Sequence, residues 1–152
     1  ALAALREFEP KLVVATTYQA ISGAGKTFEQ WPEMVENIIP YIGGEEEKSE
    51  KEPLRILGKV ENGEIVPATE PVITCQCLRV PVLDGHTAAV FVNFGKKPTK
   101  EQIIEKWRSF KGAPQEFHQH QSSLSSILRK MTVHRLSLML TMRMVWEFHS
   151  AD

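Results

Sequence analysis

The spacing of apolar residues in the first part of the chain predicts three buried strands. Residues 12–18 are apolar or β-branched and end at a Ser-Gly-Ala-Gly turn, which is typical of a strand inside a sheet. Residues 72–82 and 87–94 have the same character, and the Leu-Asp-Gly sequence between them predicts that these two strands form a hairpin.

Two segments have helical spacing. Residues 99–110 begin with a capping threonine and an early acid, and place Ile103, Ile104 and Trp107 on one face, which predicts a helix. Residues 45–57 are also predicted to be helical, with a kink or a restart at Pro53. Strands that pair as hairpins, with helices between them, indicate an α+β fold in which a mostly antiparallel sheet has helices packed on one face.

Composition places the chain in a broad class without identifying a partner. The 152 residues are 42% hydrophobic and have a net charge of −1, as expected of a soluble domain with one core. No partner class follows from that charge balance, and we predict no nucleic-acid partner. Charged residues interrupt every apolar stretch before the roughly 18 residues that a membrane span needs. There are two cysteines, which fits a reducing compartment. We therefore expect a cytoplasmic protein with no membrane contact.

Composition also divides the chain near residue 117. All nine glycines and all nine prolines lie before it. Residues 1–116 contain 14 Lys or Arg and 17 Asp or Glu, whereas residues 117–152 contain four and two. We therefore predict a folded domain at 1–116 and an aberrant tail at 117–152 that is disordered or loosely helical.

Three motifs resemble one known family. They are Tyr-Gln-Ala-Ile-Ser-Gly-Ala-Gly at 18–25, Ile-Pro-Tyr-Ile-Gly-Gly-Glu-Glu-Glu-Lys at 39–48, and Arg-Val-Pro-Val-Leu-Asp-Gly-His-Thr at 79–87. In this order they resemble aspartate-semialdehyde dehydrogenase of the archaeal and fungal branch. The resemblance covers about residues 1–116 and implies the substrate-binding and dimerisation half, with the C-terminal fold of glyceraldehyde-3-phosphate dehydrogenase-like enzymes.

The resemblance implies a reaction and a partner. Members of the family use NADPH to convert aspartyl phosphate to aspartate semialdehyde through a cysteine thioester, with release of phosphate, in the biosynthesis of lysine, threonine and methionine. His86 matches the acid/base position and Arg79 matches the clamp for the substrate carboxylate. A homo-oligomer, either a dimer or a tetramer, is implied for the complete enzyme.

Further positions carry over from the same motifs. Glu45 and Lys48 match a Glu-x-x-Lys element for the substrate amino group and phosphate, and at this spacing they share one helix face. Gln19 matches a glutamine that orients the acyl intermediate. Ser22 and Gly23 match the turn that approaches the nicotinamide end of the cofactor.

The departures from the family limit what this chain is expected to do alone. The Rossmann domain and the nucleophilic cysteine have no counterpart, and Cys75 and Cys77 match no nucleophile position. The resemblance therefore predicts an inactive fragment that does not bind NADP(H) tightly. Two alternatives stay open: a non-catalytic dimerisation or interaction fragment, and a related acyl reductase such as malonyl-coenzyme A reductase. Glu45 and Lys48 weigh against the reductase, because they suit an amino acid that carries phosphate.

The tail has a pattern that indicates a shifted reading frame. Family members end with Pro-Ser-Ala-Pro, acidic residues, Arg-Pro-Gln and a Gly-Met-Gly-Val strand. Reading the tail codons one base early forces glycine at Met144-Val145 and at Trp146-Glu147 and permits methionine between them. We therefore interpret residues from about 117 onward as the product of a frameshift.

Two other motifs predict little. Gly25-Lys26-Thr27 resembles the end of a phosphate-binding loop, but that loop needs glycine where the chain has Ala20. Cys75 and Cys77 lack further ligands at a spacing that suits zinc, and a Cys-x-Cys on a strand is more often part of a core. We predict no metal site.

Overall fold

The computed structural model describes residues 1–111 and confirms the predicted α+β class. The strands are β1 (Pro10–Gln19), β2 (Lys59–Glu61), β3 (Glu64–Val66), β4 (Val72–Arg79) and β5 (Thr87–Phe94). The α-helices are α1 (Glu45–Leu57) and α2 (Lys100–Ser109), and short 3-10 helices lie at Leu2–Phe8, Ile21–Ala24 and Pro32–Met34. The predicted tail at 117–152 lies outside the described residues, so its proposed disorder or loose helicity stays a prediction.

The main sheet has three strands in the order β4-β1-β5. β1 pairs in parallel with β4 and antiparallel with β5, so β4 and β5 are not neighbours and the predicted hairpin between them is wrong. β4 ends at Arg79, which leaves residues 80–86 to cross the end of β1. Parallel strands need a long crossover connection, and α1 lies within the one that joins β1 to β4.

Helix α1 is continuous from Glu45 to Leu57 and has Pro53 inside it, so the predicted restart does not occur. Three glutamates occupy its first turn, where the helix dipole favours negative charge. The helix packs against β4. It therefore covers one face of the sheet next to the end of β1.

One buried hydrophobic cluster lies at the start of β1. Leu5 and Phe8 pack there with Ile103 and Trp107 of α2, and all four side chains are buried. Helix α2 begins as predicted, because Thr99 and Gln102 form a capping box. This cluster fixes the start of β1, and the candidate site lies at the opposite end of the strand.

The other face of the sheet is uncovered in residues 1–111. Leu12, Val14 and Tyr18 of β1 are 41%, 39% and 38% exposed, and Phe91 of β5, which is paired with Val14, is 63% exposed. The register assigns twelve side chains to this face, and none is charged: Leu12, Val14, Thr16, Tyr18, Val72, Thr74, Gln76, Leu78, Thr87, Ala89, Phe91 and Asn93. We call this set the uncharged sheet face. No helix within residues 1–111 has both the length and the apolar character needed to span a membrane.

Candidate functional site

The candidate site is built around the turn that follows β1. After Gln19 the chain enters the 3-10 helix Ile21–Ala24, which ends at Gly25 in the left-handed region, with φ 67°. The N–H groups of Ile21 and Ser22 donate to the carbonyl oxygens of Val82 and Leu83, at 2.9 and 3.1 Å. These bonds hold the segment before His86 against the turn.

Ala20 holds two predicted site residues through its backbone. Its carbonyl oxygen accepts a hydrogen bond from Arg79 Nη1 at 2.7 Å. Its N–H donates to His86 Nδ1 at 3.3 Å. Ala20 is fully buried, so both bonds are attached to a fixed point of the fold. Arg79 and His86, from opposite sides of β1, are thereby brought to the same residue.

Gly23 lies between these two side chains. A Cβ built on residue 23 would be 2.9 Å from Arg79 Nη1 and 3.0 Å from His86 Nε2 and Cε1. Real Cβ atoms essentially never lie within 3.0 Å of another atom, so the contact with Arg79 Nη1 could not form without a movement. The absence of a side chain at Gly23 therefore leaves open the space that Arg79 and His86 share.

Arg79 is a buried cation. Its relative exposure is 6%, and no carboxylate among residues 1–111 forms a salt bridge with it. Removing a charge from water is costly unless an opposite charge compensates it. Arg79 is therefore placed to receive an anion that the described part of the chain does not supply.

Gln19 extends the site towards helix α1. Its Nε2 donates to Glu45 Oε2 at 3.4 Å and to Thr17 Oγ1 at 3.3 Å. Glu45 Oε1 in turn lies 3.6 Å from Lys48 Nζ, so the i,i+3 pair shares one helix face as the spacing predicted. Gln19 is also the register partner of Arg79 across β1 and β4. The predicted residues therefore form two groups that meet at the Gln19–Ala20 peptide. Arg79 and His86 make up the first group, and Gln19, Glu45 and Lys48 make up the second.

Ser22 and Gly23 lie at the exposed edge of this arrangement. His86 is exposed as well, whereas Gln19 and Arg79 are buried. All seven residues named from the motifs are thus placed around the end of β1. A buried cation, an exposed imidazole and an ion pair can together hold a small zwitterionic molecule and transfer a proton to it.

The sequence did not predict the part that Ala20 and Thr17 play. Ala20 acts through main-chain atoms, which leave no trace in the residue type. Thr17 lies on the same side of β1 as Gln19, two positions before it. Strand periodicity carries that signal, because residues i and i+2 point to the same face.

The two cysteines are not placed as nucleophiles. Cys75 and Cys77 lie beneath α1, where Cys77 Sγ is 3.7 Å from Ser49 Oγ. Burial, followed by the hydrogen bond with Cys77, raises the pKa of the Cys75 thiol to about 11. A nucleophilic cysteine needs a lowered pKa, so this environment does not activate Cys75.

A metal site needs a set of ligand side chains held close together. Among residues 1–111, no group of three or more His, Cys, Asp or Glu side chains is arranged to hold an ion.

Comparisons with known proteins place the chain in a family. The family model described as semialdehyde dehydrogenase, dimerisation domain, matches residues 2–128. Aspartate-semialdehyde dehydrogenase of Methanothermobacter thermautotrophicus is 41% identical over 110 residues, which are 72% of this chain and 31% of that protein. The enzyme of the same name from Candida albicans is 37% identical over 131 residues, which are 82% of this chain and 34% of that protein.

A solved structure gives the same result. The crystal structure of aspartate semialdehyde dehydrogenase with NADP from Candida albicans matches with a TM-score of 0.77 and 33% identity, covering 90% of this chain and 40% of that one. The chain spans about a third of the length of the curated relatives that it matches. The resemblance inferred from the three motifs is confirmed: the chain belongs to the semialdehyde dehydrogenase family through its dimerisation domain, and its curated relatives are aspartate-semialdehyde dehydrogenases.

Proposed function

We propose that this chain supplies the substrate-binding and proton-transfer part of an NADP-dependent aspartate-semialdehyde dehydrogenase. The reaction is the reductive dephosphorylation of aspartyl phosphate to aspartate semialdehyde, a step of amino-acid biosynthesis in the cytoplasm. The observation that carries the proposal is Arg79, a buried guanidinium with no salt-bridge partner in residues 1–111, beside His86 across the space left by Gly23. That pair offers an anion clamp and a proton carrier at one place.

Arg79 binds the α-carboxylate of the substrate in this proposal. One of its nitrogens is engaged by the Ala20 carbonyl, which fixes the plane of the guanidinium. The remaining N–H groups can donate to a carboxylate, and a planar donor matches that group better than an ammonium does. The clamp sets the orientation of the amino acid before any chemistry takes place.

His86 transfers the proton. Because Nδ1 accepts the Ala20 N–H, the neutral ring carries its proton on Nε2. Nε2 is the atom that faces the space beside Gly23. In this resting tautomer Nε2–H can donate a hydrogen bond to oxygen on the reacting carbon. Proton transfer requires the imidazolium, in which Nδ1 carries its own proton and releases the 3.3 Å bond from the Ala20 N–H; Nε2 then gives its proton to the substrate oxygen and takes one back in the reverse direction, which is the task of an acid/base group.

The second group of residues recognises the other end of the substrate. Glu45 accepts from the substrate amino group and Lys48 attracts the phosphate, a division that their ion pair keeps in place before the substrate binds. Gln19, held by Glu45 and Thr17, orients the acyl intermediate. A substrate with an amino group and a phosphate is thereby preferred over malonyl-coenzyme A, the substrate of the alternative reductase.

Ser22 and Gly23 fit a cofactor that approaches from the exposed side. A side chain at Gly23 would occupy the space in front of Arg79 and His86, and the native glycine leaves it free. NADP(H), when bound, supplies or accepts the hydride. The nicotinamide-facing role of Ser22 and Gly23 completes the proposed assignment.

The clamp is tested by replacing Arg79 in an active protein. We suggest a chimera in which residues 1–116 of this chain replace the matching segment of the Candida albicans relative, which keeps its own N-terminal and C-terminal parts, with the unmodified chain alone as the expected inactive control. Arg79→Lys keeps the charge but loses the fork geometry, so we expect KM for aspartate semialdehyde to rise about ten- to a hundredfold, the equivalent of about 1.5–3 kcal/mol for a charged hydrogen bond.

The matched control for that experiment is Arg55→Lys, because Arg55 is exposed on α1. Circular dichroism of both variants checks that the loss of the bond to Ala20 has not unfolded the chain. A KM for Arg79→Lys equal to that of Arg55→Lys would contradict the assignment.

A dimerisation function is favoured by a separate observation. The uncharged sheet face presents twelve side chains without a charge, and the matched family model is named for dimerisation. Depletion of charged residues is typical of the core of an interface. We propose that a second copy of the chain packs on this face, so that the chain contributes to a homo-oligomer.

The proposed dimer predicts a specific loss when charge enters the interface. Phe91→Lys places like charges near each other in a two-fold interface and removes an aromatic contact, so we expect the dimer dissociation constant to rise about thirtyfold or more, from a loss of about 2 kcal/mol. Val60→Lys, on the 75% exposed Val60 of β2, is the matched control. Sedimentation equilibrium measures both, and a Phe91→Lys chain that dimerises like the control would contradict the interface.

A further inference from the structure

Two thiols lie side by side beneath α1, in a place that the proposed function does not use. Cys75 and Cys77 point to the same face of β4, and their Sγ atoms are 3.8 Å apart. Their relative exposures are 7% and 0%. Ser49 of α1 covers the pair, since its Oγ is 3.7 Å from Cys77 Sγ.

Side chains of α1 hold the strand that carries the thiols. Glu50 Oε1 accepts the N–H of Cys75 at 3.0 Å, and Glu46 Oε1 accepts the N–H of Cys77 at 3.3 Å. These bonds satisfy N–H groups on the side of β4 away from β1. The spacing of the two thiols is therefore set by an extended strand that is tied down at both residues.

This geometry disfavours a disulfide. Two residues of extended strand separate the Cα atoms by roughly 6.6 Å, at the far end of the range that a disulfide spans. The sulfurs would also have to approach from 3.8 Å to about 2.05 Å. A third atom that bonds to both sulfurs needs a much smaller movement of the backbone than a direct S–S bond does.

The protonation of the two thiols also favours a ligand atom that bonds to both sulfurs. Burial raises the pKa of the Cys75 thiol to about 11, so it is a neutral thiol near pH 7. Thiolates, not thiols, attack disulfides, so exchange and oxidation at Cys75 are slow. A reagent that takes up two thiols carries both protons away as water, so the bound state places no thiolate charge in the buried site.

We propose that Cys75 and Cys77 form a dithiol site that captures one monosubstituted trivalent arsenical per chain. In the reaction of an arsine oxide, R–As=O, two S–H bonds break, two As–S bonds form and the oxygen leaves as water with the two protons. Arsenic stays trivalent and no electron is transferred. Such a reagent needs two sulfurs, which matches a site where residues 1–111 offer no group of three or more metal-ligating side chains.

The test uses the purified, reduced chain and phenylarsine oxide in native buffer, with intact mass as the readout. The chain has two cysteines in all, so no other thiol contributes. We expect one phenylarsenic group per chain, which survives washing with glutathione and is removed by 2,3-dimercaptopropanol, because a dithiol is needed to displace a chelate. Cys75→Ser and Cys77→Ser are each expected to lose the adduct in the glutathione wash.

A second variant tests whether the folded strand sets the geometry. Gln76→Cys combined with Cys77→Ser keeps two thiols but places them on opposite faces of β4. This variant should fail to hold the arsenical when folded and should hold it in urea. The proposal would be overturned if the native sequence formed the adduct only in urea, or if it took up two arsenicals per chain. It would also be overturned if either single-cysteine variant kept the adduct through the glutathione wash, or if the folded Gln76→Cys, Cys77→Ser variant bound the arsenical as well as the native sequence does.

Discussion

Replacing His86 with alanine in the chimera is expected to lower kcat by roughly 10²- to 10⁴-fold, the usual contribution of a positioned acid/base group. KM should change little, because Arg79 and the Glu45–Lys48 pair bind the substrate without the imidazole. The prediction follows from the position of Nε2 beside the Gly23 space and from the bond that fixes Nδ1. Steady-state kinetics with aspartate semialdehyde and phosphate separate the two parameters.

A conservative variant distinguishes chemistry from structure at His86. The carbonyl oxygen of asparagine can accept the Ala20 N–H in place of Nδ1, so His86→Asn preserves the turn but cannot carry a proton near neutral pH. We expect His86→Asn to be as impaired in kcat as His86→Ala. Recovery of activity by asparagine would show that His86 serves the turn alone.

The second large effect is expected at Gly23. In Gly23→Ala the new methyl group meets Arg79 Nη1 at 2.9 Å and His86 Nε2 at 3.0 Å, so one or both side chains must move. A displacement of about 1 Å in a catalytic group costs on the order of 10²-fold in rate. We expect kcat/KM to fall by about that factor, while the chain keeps its fold because Gly23 lies in an exposed turn.

Gly43→Ala is the matched control for this substitution. A Cβ at Gly43 meets no atom within 4 Å, so the same change in residue type adds no contact. Equal kcat/KM for the two alanine variants would mean that the space beside Gly23 has no part in catalysis.

Local pattern predicted the three strands of the main sheet and both α-helices, because strand and helix formation depends on neighbouring residues, but it did not predict β2, β3 or the 3-10 helices. The strand predicted at 87–94 has the observed bounds, and the one predicted at 12–18 lies inside β1. The capping threonine and the apolar spacing placed α2 within one residue of its observed ends. The strand predicted to reach residue 82 ends earlier, since Arg79 pairs with Ile39 and the chain then turns across β1.

Strand pairing could not be predicted in the same way. The Leu-Asp-Gly turn before His86 was interpreted as a hairpin, but β1 lies between the two strands that it was expected to join. Pairing depends on contacts between residues far apart in sequence, which a local turn signal does not contain. The strand-helix-strand order of β1, α1 and β4 was the available sign of a parallel crossover.

The composition of the site was predicted from motifs, but its construction was not. Arg79 and His86 were named because of their place in a familiar segment, while their common anchor, Ala20, acts through its peptide groups. The motifs also assigned no role to Glu46 or Glu50. Both accept hydrogen bonds from backbone N–H groups of β4, an arrangement that follows from packing and leaves no mark in the charge pattern.

The substrate preference of the chimera tests most directly whether this chain carries a site for an amino-acid semialdehyde. We predict NADP reduction with aspartate semialdehyde and phosphate, and no NADPH oxidation with malonyl-coenzyme A at the same enzyme concentration. A folded, oligomeric chimera that is inactive with aspartate semialdehyde, or that turns over malonyl-coenzyme A at a similar rate, would contradict the proposed function.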